Sequence, residues 1–412
     1  MPSLNQQILI GVLLGVVTGG LLTQLGDESP LREGVLYGST LAANLFVDLL
    51  KMILIPLVFS TIVVGVANLQ AHRQMHKVWK TTMVFFFCST SLAMILALIV
   101  MNIFRPGEGL HLDMFKTAMD SYQYKPMSAS EFFVHFFHSL FQNPFSAFAK
   151  NDVLAVVIFA LFLGIALVVG GERYKNIINL FQEFLDLMMR IIGWIMWLAP
   201  VGIFALLVKL VATQNAELLG TLIKFIVIVI VTTLVHGAIV LPLILYVITK
   251  KSPLYFWRGA RDALITAFAT SSSSATLPVT LRCTEQNFAV RKDISGFVVP
   301  LGATVNMDGT ALYEAAAALF IANLAGIDLT FTQQLIVFCT AMIAAIGAPG
   351  IPSAGMVTMI MVLQSVGLPV EAIAILLPID RLLDAFRTAV NVEGDMIGSL
   401  IVQKITVDDA DK

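Results

Sequence analysis

Thr270-Ser-Ser-Ser-Ser-Ala-Thr-Leu-Pro278 is the stretch that decides how this 412-residue chain folds. It lies midway between two apolar arms, and neither arm with its break reaches the ~20 residues a helix needs to cross hydrocarbon. Both arms then start from one side of a membrane, and the segment reads as a helical hairpin that enters and leaves on that side. Backbone amides at its tip cannot face lipid, so the tip must be buried in protein or line a wet cavity. Ile346-Gly-Ala-Pro-Gly-Ile-Pro-Ser-Ala-Gly355 repeats the pattern between arms that start from the opposite side. Ser clusters and Gly/Pro pairs also kink ordinary spanning helices. Two breaks in corresponding positions and opposite orientation favour an inverted repeat with a binding site at the midplane.

Composition supports the membrane setting. The chain is 58% hydrophobic and 13% charged, against about 25% charged in a soluble domain. Ile8–Leu25, Asn44–Val66, Val84–Phe104, Leu154–Val169 and Leu222–Ile248 read as plain spanning helices with few ionisable residues. Met1–Gln7 has no Lys or Arg and no small-residue cleavage pattern follows it, so the first run reads as a retained helix. Loops carrying Arg73, Lys77 and Lys80; Arg173 and Lys175; Lys250, Lys251, Arg258 and Arg261; and Arg282, Arg291 and Lys292 belong in the cytoplasm by the positive-inside rule. The N-terminus is then inside and the Arg105-to-Lys150 region outside. A net charge of −2 offers no basic footprint for nucleic acid. Cys88, Cys283 and Cys339 read as packed thiols. Asp48 and Lys51, three apart on a helix, read as a structural pair.

After Ser252 the apolar segments shorten and Ser, Gly, Pro and Asn interrupt them. The last, Val370 to about Val402, contains Asp380, Asp384, Arg387, Asn391 and Asp395 at steps of four, three, four and four. On a helix they share a sector of about 80°. Thr388 borders that face, Arg381 lies at its edge and Glu393 points away. Such charges cost about 2.5–3.5 kcal/mol each at the centre of a membrane helix, so the face cannot meet lipid. Arg387 answers one of three acids on its own face, and the preceding segment adds Asp308 and Glu314. The missing positive charge must come from bound cations or protons. Asn306-Met-Asp-Gly-Thr310 favours local unwinding, and its oxygens suit a hard cation such as sodium. His is absent after Ser252 and Cys is unclustered, which argues against zinc or iron. The guanidinium of Arg387 matches a carboxylate in two parallel bonds. Asp384, about one turn earlier, suits an ammonium group, so one face describes an acidic amino acid.

At these residues the chain resembles the dicarboxylate/amino acid:cation symporter family, which includes the excitatory glutamate transporters. The resemblance covers most of the chain. It is densest from Leu264 to Asp395, where Ser-Ser-Ser-Ser-Ala-Thr-Leu-Pro, Asn-Met-Asp-Gly-Thr, Gly-Ile-Pro-Ser-Ala-Gly and Arg-Thr-Ala-Val-Asn-Val-Glu-Gly-Asp occur in family order. Members of that family are among the cases behind the inverted-repeat rule used above, so rule and resemblance are not independent. The resemblance implies an all-α polytopic membrane protein with about eight transmembrane helices plus two re-entrant hairpins. It implies a homotrimer in which a transport domain moves like an elevator against a scaffold. The boundaries it implies are scaffold helices 1 and 2 over 1–80 and helix 3 of the transport domain over 81–106. Scaffold helices 4 and 5 with an outer loop follow over 107–213, helix 6 of the transport domain over 214–251, and the transport core over 252–412.

By the same resemblance Arg387 receives the substrate's side-chain carboxylate and Asp384 its amino group. Thr310, Thr388 and Asn391, with the Ser272, Ser273 and Ser274 tip and Ala348 and Gly350 of the second hairpin, complete the substrate site. Asp395 resembles the carboxylate of one sodium site, with carbonyls of Asn391 and Gly302. Thr304, Ala345, Ile346 and Ala348 resemble a second, carbonyl-built site, and Asn306 and Asp308 with Ser89 and Thr90 a third. Glu314 stands where proton-coupled animal members carry Glu, which favours proton coupling.

Departures from the family pattern matter. Ala385 and Ser271 occupy the two positions where members carry an auxiliary Arg, which puts potassium counter-transport in doubt. Val392-Glu393-Gly394-Asp395 resembles the neutral amino acid branch, whereas Arg387 does not. The expected function is uptake of glutamate or aspartate coupled to sodium, and also to protons. A C4-dicarboxylate transporter is the alternative within the class. Outside it stand an ion channel and an intramembrane aspartyl protease using Asp308 and Asp395; the latter lacks a partner signature for a shared-proton dyad. Ser271–Ser274 has no nearby base for nucleophilic catalysis, so no enzyme is expected. The short extramembrane portions suggest a multi-pass protein of a bacterial inner membrane with both termini cytoplasmic.

Overall fold

The computed structural model describes residues 4–25, 29–68, 76–110, 141–150, 153–213, 216–347 and 354–407, and among these the regular structure is entirely helical. The first part comprises α1 (Leu4–Leu22), α2 (Pro30–Asn68), α3 (His76–Phe104), α4 (Pro144–Lys150), α5 (Val153–Gly170), α6 (Lys175–Trp197), α7 (Ala199–Thr213), α8 (Ala216–Val235) and α9 (Leu241–Thr249). The second comprises α10 (Pro253–Thr270), α11 (Ser273–Arg282), α12 (Lys292–Val305), α13 (Asp308–Leu324), α14 (Phe331–Gly347), α15 (Ala354–Ser365) and α16 (Ile373–Val407). Three stretches, Lys77–Phe104, Ala155–Trp197 and Glu217–Thr249, are long and apolar enough to cross a membrane. The second of these is two helices, α5 and α6, parted at Gly171, whose φ of 59° is a left-handed conformation that glycine adopts without strain.

The outside of the molecule is apolar. On α3 the side chains of Val84, Phe87, Leu92, Ile95, Ile99 and Ile103 are exposed and recur at helical spacing. Cys88 lies among them and Cys339 is exposed on α14, so of the three thiols only Cys283 is packed inside. A thiol is small and apolar enough to sit on a lipid-facing stripe, which is why composition could not place it. Asp48 is exposed; the Lys51 side chain lies outside the described residues.

Packing joins α1, α2, α5, α6 and α7 to one another. Along α1, glycines every four residues allow close approach to α7: a Cβ on Gly11 would sit 2.5 Å from the Pro200 carbonyl oxygen, and one on Gly15 2.8 Å from that of Phe204. A second set gathers round α16, which touches α3, α8, α9, α10, α11, α12, α13 and α15, and also α7 of the first set. Between α8 and α9 the helix widens to a π turn over His236–Val240, where the Leu241 amide donates to the His236 carbonyl. Pro242 lacks the amide that a regular helix would require there, so the wider turn accommodates it.

Both breaks recognised in the sequence part helix pairs. α10 and α11 pack together and meet at Ser271–Ser272. Ser271 adopts φ 48°, and the Ser272 hydroxyl caps α11 by accepting from the Ala275 amide at 3.1 Å. α14 and α15 likewise pack together. Their junction, 348–353, lies outside the described residues, and with it Ala348 and Gly350.

Candidate functional site

The stripe on α16 is buried throughout. Asp380, Asp384, Arg387, Thr388, Asn391 and Asp395 are each 5% exposed or less. The stripe faces protein because nine other helices pack against this one. Arg387 is fully buried, and its Nη2 donates to Asp380 Oδ1 at 2.7 Å and to Asp384 Oδ1 at 2.8 Å. The guanidinium carbon lies 4.1 Å from the centre of the Tyr313 ring, a cation–π contact from α13. Nε and Nη1 have no hydrogen-bond partner. Nη2 is thus held by protein, and the hydrogens on Nε and Nη1 are left for another acceptor. The long side chain reaches back to carboxylates three and seven residues earlier, and its single charge still faces more than one acid.

Asp384 also faces a second cation. Arg381 Nη1 is 3.7 Å from Asp384 Oδ2, and its Nη2 donates to the Thr270 carbonyl at 3.5 Å beside the first hairpin tip. Ser272 and Ser273 of that tip are buried, whereas Ser274 is exposed.

Unwinding at Asn306 is present. α12 stops at Val305, α13 starts at Asp308, and Asn306 and Met307 between them leave helical geometry. The break is closed by α16: Asn391 Oδ1 accepts from the Gly309 amide at 2.8 Å, and Asn306 Nδ2 donates to Asp395 Oδ1 at 3.0 Å and to the Asn391 carbonyl at 3.3 Å. Two glycines make this crossing possible. A Cβ on Gly309 would lie 2.7 Å from the Arg387 carbonyl oxygen, and one on Gly394 2.5 Å from Asn306 Nδ2. Thr310 follows, its hydroxyl accepting from Asn391 Nδ2 at 3.3 Å.

Two oxygen clusters adjoin this break. In one, Asp308 Oδ1 accepts from Thr90 at 2.6 Å and from Ser89 at 3.1 Å, and Ser89 lies 3.5 Å from Asn306 Oδ1. These four side chains, expected together from the sequence, are together and buried. In the next, Asp395 lies against Gly302, where any Cβ would collide with its carboxylate, and Phe86 closes the same spot. Thr304 lies near the end of α12 and Ala345 and Ile346 near the end of α14, two helices that pack together. The two clusters offer hard oxygen donors without thiolate, which suits an alkali cation.

Several contributors were missed from the sequence. His236, in what reads as a plain spanning run, is fully buried with Nε2 3.1 Å from Asp308 Oδ2. The reading of the first part as free of functional ionisable groups is therefore corrected at this residue. A lone His in an apolar run, where an unpaired polar group is costly, was the available signal. Tyr313 and Thr358 also reach the site, the latter donating to Glu314 Oε1. Glu393 does leave the stripe face, but toward protein: its Oε2 lies where a Cβ on Gly237 would come within 2.9 Å. Its side chain is buried.

Asp308 and Asp395 are each engaged by hydroxyl, imidazole or carboxamide groups. Among the described residues no hydrogen bond joins the two carboxylates, which a proton-sharing dyad would need.

Comparison with known proteins agrees with this chemistry. The sequence profile of the sodium:dicarboxylate symporter family matches residues 4–405. Excitatory amino acid transporter 3 of Homo sapiens is 34% identical over 449 aligned positions, covering 96% of this chain and 84% of that protein. Excitatory amino acid transporter 2 of Mus musculus is 34% identical over 453 positions, covering 97% and 78%. An excitatory amino acid transporter of Caenorhabditis elegans is 34% identical over 448 positions, covering 97% and 87%. A profile match over nearly the whole chain, joined to buried oxygen clusters around a half-open guanidinium, places the protein: it belongs to the sodium:dicarboxylate symporter family.

Proposed function

We propose that this protein is a secondary active symporter that takes up acidic amino acids, glutamate or aspartate, with sodium and a proton. The observation that carries the reading is Arg387: fully buried, tied on one edge to Asp380 and Asp384, and open at Nε and Nη1. A buried guanidinium with unused donors at Nε and Nη1 is complementary to a carboxylate in charge, and the carboxylates and hydroxyls around the Asn306 break supply oxygen for sodium. The substrate's amino group meets Asp384, with Thr310, Thr388, Asn391 and the Ser272–Ser274 tip completing the pocket. Asp395 with Gly302 and Asn391, Asp308 with Asn306, Ser89 and Thr90, and Thr304 with Ala345, Ile346 and Ala348 take the sodium ions. The packing of α1, α2, α5, α6 and α7 with one another, and of α3, α8, α9, α10, α11, α12 and α13 round α16, supports a scaffold and a transport domain within a homotrimer in the cell membrane. The two helical hairpins are the gates. Potassium counter-transport has no support in an auxiliary Arg at Ser271 or Ala385.

Uptake of labelled aspartate into proteoliposomes, with unlabelled aspartate, glutamate, succinate, malate, serine and alanine as competitors, tests the substrate. Aspartate and glutamate are expected to compete best. Stronger competition by succinate and malate would replace this reading with a C4-dicarboxylate transporter.

Glu314 is the proposed proton carrier, being fully buried on α13 beside the pocket. Glu314→Gln imitates the protonated carboxyl in shape. It is expected to keep exchange of internal for external substrate and to lose pH-dependent net uptake, because the empty protein must release the proton to return. Retention of the wild-type pH dependence by Glu314→Gln would remove Glu314 from the coupling.

A further inference from the structure

Tyr313 lies against the carboxylate receptor and reaches the second hairpin at one atom. Its ring centre is 4.1 Å from the Arg387 guanidinium carbon, and the side chain is fully buried. A buried phenol needs a partner for its hydroxyl, because the water it gives up must be replaced. Tyr313 has that partner on α15: the hydroxyl donates to Met356 Sδ at 3.3 Å. A hydroxyl carries one hydrogen, and this one is given to sulfur. Met356 is itself buried.

The bond joins two helices that both border the substrate group. Tyr313 is on α13, three residues after Thr310. Met356 is on the first turn of α15, one residue after Gly355. A Cβ on Gly355 would lie 3.1 Å from Thr310 Cγ2 and 3.4 Å from Arg387 Nη1, so this turn rests against residues of the substrate group. With the turn seated, the thioether is the acceptor that the buried phenol uses. A thioether is a weak acceptor, but stranding a buried donor costs more than a weak bond contributes. Leucine in its place would occupy nearly the same volume and offer no lone pair.

We propose that Met356 is a positioning residue for the substrate: by accepting the Tyr313 hydrogen it lets the first turn of α15 close over Arg387 without stranding a buried hydroxyl. Withdrawal of the turn returns the phenol to water, so the bond belongs to the closed arrangement. Met356 thus acts on Arg387 through the Tyr313 ring and favours the state that holds substrate.

The inference rests on the reading of the hairpins as gates over an acidic amino acid site, and its test separates the two. Binding and release of labelled aspartate, in sodium, are measured on the protein in liposomes for wild type, Met356→Leu, Tyr313→Phe and the double variant. No binding by the wild type would overturn the substrate reading and this inference with it. Given wild-type binding, Met356→Leu is expected to bind aspartate about three- to tenfold more weakly, the factor for one lost hydrogen bond, and to release it faster. Tyr313→Phe has no hydroxyl to strand. In that background the same substitution is expected to change affinity by less than about twofold, the scatter between independent sites. Unchanged affinity in Met356→Leu would overturn the proposal. Equal weakening in the Tyr313 and Phe backgrounds would overturn it as well, because Met356 would then only fill space. Tyr313→Phe keeps the ring beside Arg387 and is expected to bind no more weakly than Met356→Leu. Weaker binding there would give the hydroxyl a role that Met356 does not serve, and that result also contradicts the proposal.

Discussion

Replacing Arg387 by Thr is expected to weaken binding of aspartate and glutamate by at least about thirtyfold, the equivalent of about 2 kcal/mol for truncating one partner of a buried charge pair. Three features set that scale. The guanidinium is fully buried, so its charge is poorly screened. It is held in place by Asp380, Asp384 and the Tyr313 ring, so little ordering remains when a carboxylate arrives. The hydrogens on its Nε and Nη1 have no acceptor in the protein and are left for a substrate oxygen. Serine or alanine is expected to bind Arg387→Thr better than the wild type, since neither brings a carboxylate for the lost fork. Arg387→Lys keeps the charge but not the fork and should fall between. Unchanged affinity of Arg387→Thr for acidic substrates, measured by equilibrium binding of labelled aspartate, would sink the assignment.

Asp308→Asn is expected to raise the sodium concentration needed for half-maximal uptake by about tenfold or more. The substitution keeps size and most hydrogen bonding while removing the charge that balances a cation. Asp308 Oδ1 is already approached by Ser89 and Thr90, whose hydroxyl oxygens would turn to the ion, and its Oδ2 is fixed by His236. A carboxamide can satisfy those neighbours but contributes only a neutral oxygen to sodium. The effect is therefore predicted on sodium dependence more than on folding. Sodium titrations of aspartate uptake check it, and identical curves for Asp308→Asn and wild type would exclude Asp308 as a ligand.

The parts of this site legible in the sequence are those written along one helix or at one break. The spacing of Asp380, Asp384, Arg387, Asn391 and Asp395 sufficed to place them on a single face because a helix fixes their angles. Asn306-Met307-Asp308-Gly309 announced an unwound turn because these residues favour local bonds over the helix ladder, and α12 does stop at Val305. Ser272 as a hairpin tip followed from the same chemistry. His236, Tyr313 and Thr358 were not legible, since each lies in an apolar run and acquires meaning only from the helix packed against it. Arg387 shows a subtler limit. Both of its acid partners were visible on its face, but the reach of a flexible side chain and the Tyr313 ring above it are products of packing. Cys88 failed for the opposite reason: in a membrane protein, apolar no longer means inside.

Concentrative uptake by the purified protein in sealed liposomes tests the central claim most directly. Labelled aspartate is supplied outside, with an inward sodium gradient or with external sodium replaced by choline. Sodium is predicted to drive accumulation above the outside concentration, and choline to abolish it, because the buried carboxylates around Asn306 outnumber the positive charge the protein supplies. Full accumulation in choline, driven by a proton gradient alone, would contradict sodium coupling and leave those carboxylates to be neutralised by protonation.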